Sequence, residues 1–144
     1  MNISYNWLKE YLDFDLQPEE VAAALTSIGL ETGSVEEVQT IKGGLEGLVI
    51  GEVLTCEAHP NSDHLHVTTV NVGSGEPLQI VCGASNVAAG QKVVVAVPGT
   101  KLYDGDKEFT IKRSKLRGVE SNGMICAEDE IGVGTDHSGI IVLP

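Results

Sequence analysis

Basic residues, aromatics and paired cysteines are all scarce here, and each shortage removes a class of function. Nine Lys and Arg stand against 21 Asp and Glu, a formal net charge of -12. Taken whole, a chain of that sign is a poor nonspecific binder of polyanions, and DNA is not an expected partner. The three cysteines, Cys56, Cys82 and Cys126, are odd in number and form no CxxC pair. They do not make a disulfide framework and fit a reducing, cytoplasmic setting. Aromatics make up only 4% of the residues while glycine occurs 17 times, which favours short strands and tight turns over a helical bundle. No apolar run approaches membrane-spanning length, and Met1 to Trp7 lacks the basic-then-apolar pattern of a signal peptide. A membrane is therefore not an expected partner.

The 144 residues suffice for one compact domain, or one domain and a small appendage. Charge divides them. Residues 1–40 hold eight acids and one base, whereas residues 101–117 hold six bases and three acids. Four of the nine basic residues (Lys112, Arg113, Lys115 and Arg117) fall within six positions. They precede Gly118, a polar turn over Glu120–Gly123 and a short apolar strand, Met124–Cys126. Such a face suits a phosphate backbone. A solvated edge strand, with Lys discouraging sheet-to-sheet pairing, explains the same residues.

Residues 1–39 read as a helical segment. Ser4 caps a first helix from about Tyr5 to Leu12, with Trp7/Tyr11 and Leu8/Leu12 at i, i+4 on one apolar face. Pro18 opens a second helix with Glu19 and Glu20 in its first turn; Val21, Leu25 and Ile28 form the buried stripe, and Gly29 ends it. Trp7 and Tyr11 are expected to be core. Two helices this short cannot bury these faces alone, so they need the rest of the chain or something absent from it.

Lys42-Gly43-Gly44 is a joint, beyond which the period becomes that of strands. Strands are expected at 48–54, with a bend or bulge at Gly51, and at 65–72, 78–82 and 93–97. Shorter ones are expected at 110–112, 124–126 and 140–143, with one helical turn near Asn86–Gly90. Five or more short strands with glycine turns fit a small closed barrel of the oligonucleotide-binding type. The expected class is thus mostly β with a small α part: a five-stranded Greek-key barrel over residues 40–144 behind a two-helix segment, residues 1–39.

Cys56, His59, His64 and His66 lie within eleven residues and invite a zinc or metal-dependent hydrolase reading. No second ligand pair lies at finger-like spacing, and Pro60, Asn61 and Asp63 account for the stretch as a turn. His64 and His66 then sit on a ligand-facing strand surface. Around Cys82-Gly83-Ala84-Ser85 no His and acid partner is evident, so no catalytic residue and no metal ligand is expected.

Three motifs stand in order: His59-Pro60-Asn61-Ser62-Asp63 with Leu65 and Val67; Val81-Cys82-Gly83-Ala84 with Asn86-Val87; and Leu116-Arg117-Gly118-Val119 with Ser121, Gly123-Met124 and Cys126. Together they resemble the EMAP-like tRNA-binding domain, an oligonucleotide-binding barrel. Asn2-Ile3-Ser4 with Asn6-Trp7-Leu8 and Tyr11, then Pro18-Glu19-Glu20 and Gly29-Leu30-Glu31, resemble the start of the bacterial phenylalanyl-tRNA synthetase beta subunit. The resemblance implies a fragment of a longer subunit that pairs with a catalytic alpha subunit, two alpha with two beta. It implies joining of phenylalanine to tRNA with ATP and Mg2+, no cofactor being held by the fragment itself. It further implies tRNA contacts by Lys112, Arg113, Lys115 and Arg117 to phosphates, by Ser121 and Asn122 to sugar or base edges, and by Met124 packing on a base. His64 and His66 complete the expected contact set. The alternative is a structural or assembly module of the same enzyme with little RNA affinity of its own.

Overall fold

A computed structural model describes all 144 residues. They fall into two compact units, Met1–Val38 and Gln39–Pro144.

In the first unit, α1 (Tyr5–Tyr11) starts at Ser4, whose hydroxyl accepts from Trp7 N–H. Helix α2 (Pro18–Ser27) carries proline in its first turn, and Glu20 reaches back to Gln17 N–H at 2.7 Å. These capping interactions follow the local signals. A small aromatic corner links the helices: Tyr5 packs edge-on against Phe14, and its hydroxyl donates to Leu16 O at 2.6 Å. The expectation that Trp7 and Tyr11 are core is overturned. They remain 60% and 77% exposed, and neither helix contains a buried residue. Helices of seven and ten residues cannot enclose an apolar interior.

The second unit begins with the long strand β1 (Leu48–Ala58). Its first half pairs with β4 (Lys92–Ala96) and its second half with β2 (His66–Asn71). Gly51 sits at the changeover. A Cβ there would lie 2.6 Å from Val70 Cγ1 and 3.0 Å from Val95 Cγ2, so only glycine lets the barrel wall fold this tightly. The bulge itself falls three residues later: Leu54 is the extra residue between Val53↔Val70 and Thr55↔Thr69.

Strand β3 (Leu78–Cys82) pairs with β2. Two hairpins follow β4: β5 (Lys101–Asp104) with β6 (Lys107–Thr110), and β7 (Ser114–Leu116) with β8 (Val119–Ser121). Strand β9 (Met124–Ile125) and strand β10 (Val142–Leu143) share the far edge of β4, and α3 (Glu128–Ile131) lies between them in sequence. The remaining edge of β3 is met by β8 and its exit: Asn122 N–H donates to Gln79 O, the Gln79 amide to Glu120 O, and Val81 N–H to Ser121 Oγ. The ring β1–β2–β3–β8/β9–β4 is therefore a nearly closed antiparallel barrel of the oligonucleotide-binding type.

Val53, Val70, Ile80, Val93, Val95 and Ile125 fill the barrel. Each contributes about 1.5–3 kcal/mol by leaving water. Ala96, Leu102, Ile111, Cys126 and Ile131 form a second cluster, to which Val94 adds. Strand β4 thus feeds one core through Val93 and Val95 and the other through Val94 and Ala96. Burial on both faces explains why it reads as an unbroken apolar run.

Three local expectations change. The first half of the polar turn expected at Glu120–Gly123 is β8, and the chain reverses at Arg117–Gly118. The strand expected at 110–112 ends at Thr110, where Ile111 turns into the second cluster. The helical turn is at Glu128–Ile131 rather than near Asn86. Asn86 instead pins the last strand's approach, donating to Ile140 O and accepting from Ile140 N–H, both at 3.0 Å.

Candidate nucleic-acid interface

The loop from β1 to β2 and the tip of hairpin β7–β8 meet. His59 is 4% exposed and lies at the centre of the junction. Its Nδ1 accepts from Asn61 N–H at 2.9 Å, which leaves the ring proton on Nε2. That Nε2–H donates to Leu116 O at 2.9 Å, across 57 residues of sequence. Asn61 adds two links to the turn: its side-chain amide donates to Arg117 O at 3.2 Å, and its carbonyl accepts from Arg117 Nη1 at 3.3 Å. Ser62 Oγ accepts from Leu65 N–H at 3.3 Å, and His59 N–H donates to Leu65 O at 3.0 Å, closing the loop on itself.

The turn held in this way is strained. Arg117 has φ 50° and Gly118 φ 89°. A two-residue hairpin turn with positive φ at both positions suits the twist of the flanking strands, but costs a non-glycine residue about 1–2 kcal/mol.

Lys112, Arg113, Lys115 and Arg117 are all exposed. None lies within 4 Å of an acid, whereas Lys101 pairs with Glu108 at 3.1 Å and Lys42 with Asp106 at 3.8 Å. Lys115 stands across the ladder from Glu120, on the same face, so its field is partly offset. His64 is exposed in the loop, within 3.5 Å of Ser62 Oγ. His66 is half-buried at the start of β2, and its buried Nδ1 has no hydrogen-bond partner.

Ser121 differs from expectation. It is 2% exposed, accepts from Val81 N–H at 3.1 Å and donates to Gly123 O at 3.1 Å. Its hydroxyl seals the barrel beneath the hairpin. Asn122 is half-buried and bonds to β3 through its backbone. Met124 is half-buried and packs against the second core cluster.

The cysteine and histidine stretch is occupied by structural bonds. Both His59 nitrogens are engaged, and Cys56 Sγ lies 3.7 Å from Val87 O. Burial raises the Cys56 and Cys82 thiols and pushes Cys126 up to about 12, the opposite of what a nucleophile needs. A cavity of about 260 Å³ lies elsewhere, lined by residues including Lys42, Leu102, Tyr103 and Glu130, and none of the expected contact residues lines it.

Neither His59 nor Asn61 was among the expected contacts. The sequence presents them as a proline turn, and a tie across more than fifty residues leaves no periodic trace.

A family model described as "Putative tRNA binding domain" matches residues 48–144. The phenylalanine–tRNA ligase beta subunit of Bacteroides thetaiotaomicron is 85% identical over 144 residues, all of this chain and 18% of that protein. The beta subunits of Porphyromonas gingivalis and Salinibacter ruber are 72% and 51% identical, over 100% and 99% of this chain and 18% of each relative. The chain thus spans about a fifth of the length of these curated relatives. Among solved structures, the C-terminal domain of Plasmodium vivax p43 aligns with 54% of this chain and 43% of its own, at 26% identity and a TM-score of 0.43.

Proposed function

The chain belongs to the tRNA-binding domain family, and from that premise we propose that it is the N-terminal part of a phenylalanine–tRNA ligase beta subunit and grips tRNA there. The union of the β1–β2 loop with the tip of β7–β8 carries this reading. In a barrel of this type, the β1–β2 loop and the long connection before the last barrel strand flank the strand 2–3 face on which a nucleic-acid strand lies. Lys112, Arg113, Lys115 and Arg117 contact phosphates. His64, Asn122 and the exposed part of the half-buried His66 ring offer polar contacts to sugar or base, and Met124 offers a thioether edge. Ser121 serves from beneath, by holding β8 to β3.

In this reading residues 40–144 are the tRNA-binding domain, and residues 1–39 belong to a domain completed elsewhere in the subunit. The exposed apolar side chains of α1 and α2 support that division. The whole enzyme is cytoplasmic, contains two alpha and two beta subunits, and joins L-phenylalanine to tRNA using ATP and Mg2+. In this reading those groups bind in the rest of the enzyme.

A second reading, an assembly module with little RNA affinity, is favoured by the net charge of -12. Fluorescence anisotropy of labelled tRNA with this chain, at low and near-physiological salt, separates the two. Saturable binding that weakens steeply with salt supports the tRNA grip. Absence of binding at low salt leaves the assembly reading.

A further inference from the structure

We infer that His59 and Asn61 are positioning residues for the RNA-binding hairpin: they touch no nucleic acid themselves but hold its strained tip where a backbone can be gripped. The inference rests on the tRNA reading above and deepens it.

Hairpin β7–β8 has three-residue strands, too few to fix its own direction. Its base is held to β3 through Ser121, Asn122 and Gln79. Its tip is held only where the β1–β2 loop reaches it, through Leu116 O, Arg117 O and Arg117 Nη1. Without those bonds, Arg117 would have nothing to offset its positive φ, and the tip would relax. The cations would then sample many directions, and each phosphate contact would cost additional ordering on binding.

His59 supplies both halves of the device. Its accepting Nδ1 orders Asn61 through the backbone, and its donating Nε2 takes the Leu116 carbonyl. Burial keeps water from substituting for either bond. Glutamine can place an amide N–H where Nε2 stands, while leucine can do neither.

The test compares His59→Leu, His59→Gln and Asn61→Ala with the wild-type chain. Each is read by tRNA anisotropy and by amide hydrogen exchange, with core amides such as those of Val70 and Ile80 as the fold control. Asn61 is exposed, so its alanine variant keeps the fold even if His59→Leu does not. The expected result is about tenfold weaker tRNA binding for His59→Leu. His59→Gln restores most of it, and Asn61→Ala falls between them. Exchange rises at Leu116–Val119 while the core stays protected. If wild type binds tRNA and the folded His59 and Asn61 variants bind equally well, the positioning role is wrong and the tRNA reading stands. If the wild-type chain fails to bind at low salt, the tRNA reading falls and takes this role with it.

Discussion

Hairpins β5–β6 and β7–β8 follow one another in the connection from β4 to β9, and both expose lysine. They treat charge and strain in opposite ways. In β5–β6 the turn is Gly105-Asp106, and glycine takes the positive φ of 60°. Lys101 is paired within the hairpin to Glu108, and Asp106 lies 3.8 Å from Lys42. In β7–β8 an arginine takes the positive φ, no cation is ion-paired, and the tip is tethered to a distant loop. The first hairpin, with three acids to two bases, carries no positive excess. The second, with Lys112 and Arg113 leading into it and Lys115 and Arg117 within it, keeps four cations without an ion pair in a chain that is otherwise strongly acidic, an arrangement that an incoming polyanion would complete.

Four experiments can break or sharpen this contrast. The largest effect is expected from stripping cations one hairpin at a time. Changing Lys112, Arg113, Lys115 and Arg117 together to Ala should weaken tRNA binding by at least about a hundredfold at low salt and flatten its salt dependence. The Lys101→Ala/Lys107→Ala variant should stay within about twofold of wild type, since a hairpin with three acids to two bases offers little free positive field. Equal losses from both would erase the distinction.

Next comes the anchor. Ser121→Ala removes the acceptor for Val81 N–H in a buried position, with an expected cost of about 1–3 kcal/mol in urea unfolding. A cost near zero would mean that β8 does not depend on this bond.

Arg117→Gly is subtler. Relief of the positive φ and the added chain freedom of glycine offset each other to within about 1 kcal/mol. The unfolding midpoint should therefore barely move while tRNA affinity falls several-fold. A large drop in stability would show that the arginine side chain holds the fold rather than the ligand.

The smallest effect concerns β5–β6. The hydrogen bond and charge of Glu108 raise the Lys101 ammonium above its ordinary 10.5. A raised lysine contributes stability below its unfolded value and loses it as pH climbs through the folded one. Glu108→Gln should bring the Lys101 titration back down, as followed by NMR, with a small loss of stability near neutrality, where the exposed pair's contribution is fully present, and no change in tRNA binding.

The contrast also explains what was legible in the sequence. Strands β1 to β4 were readable because alternation and apolar runs report burial directly. Helix starts were readable from Ser4 and Pro18. The hairpin turn at Arg117–Gly118 is hidden in the sequence because Glu120-Ser121-Asn122-Gly123 has the stronger turn composition, and tertiary bonds from β3 draw its first two residues into strand. Ser121 looked like a contact residue because a serine among polar neighbours gives no sign that it faces a barrel seam. Trp7 and Tyr11 looked like core because helical spacing reports an apolar face, not whether the chain in hand covers it. The basic cluster was plain from composition, whereas its tether was not.

The most direct test of the account is an NMR titration of the isotope-labelled chain with tRNA, reading which backbone amides shift. Changes should concentrate at Lys112–Gly118 and at Asn61–His66, with Asp104–Lys107 and residues 1–38 left unmoved. Changes confined to the β5–β6 hairpin or to the N-terminal helices would contradict it.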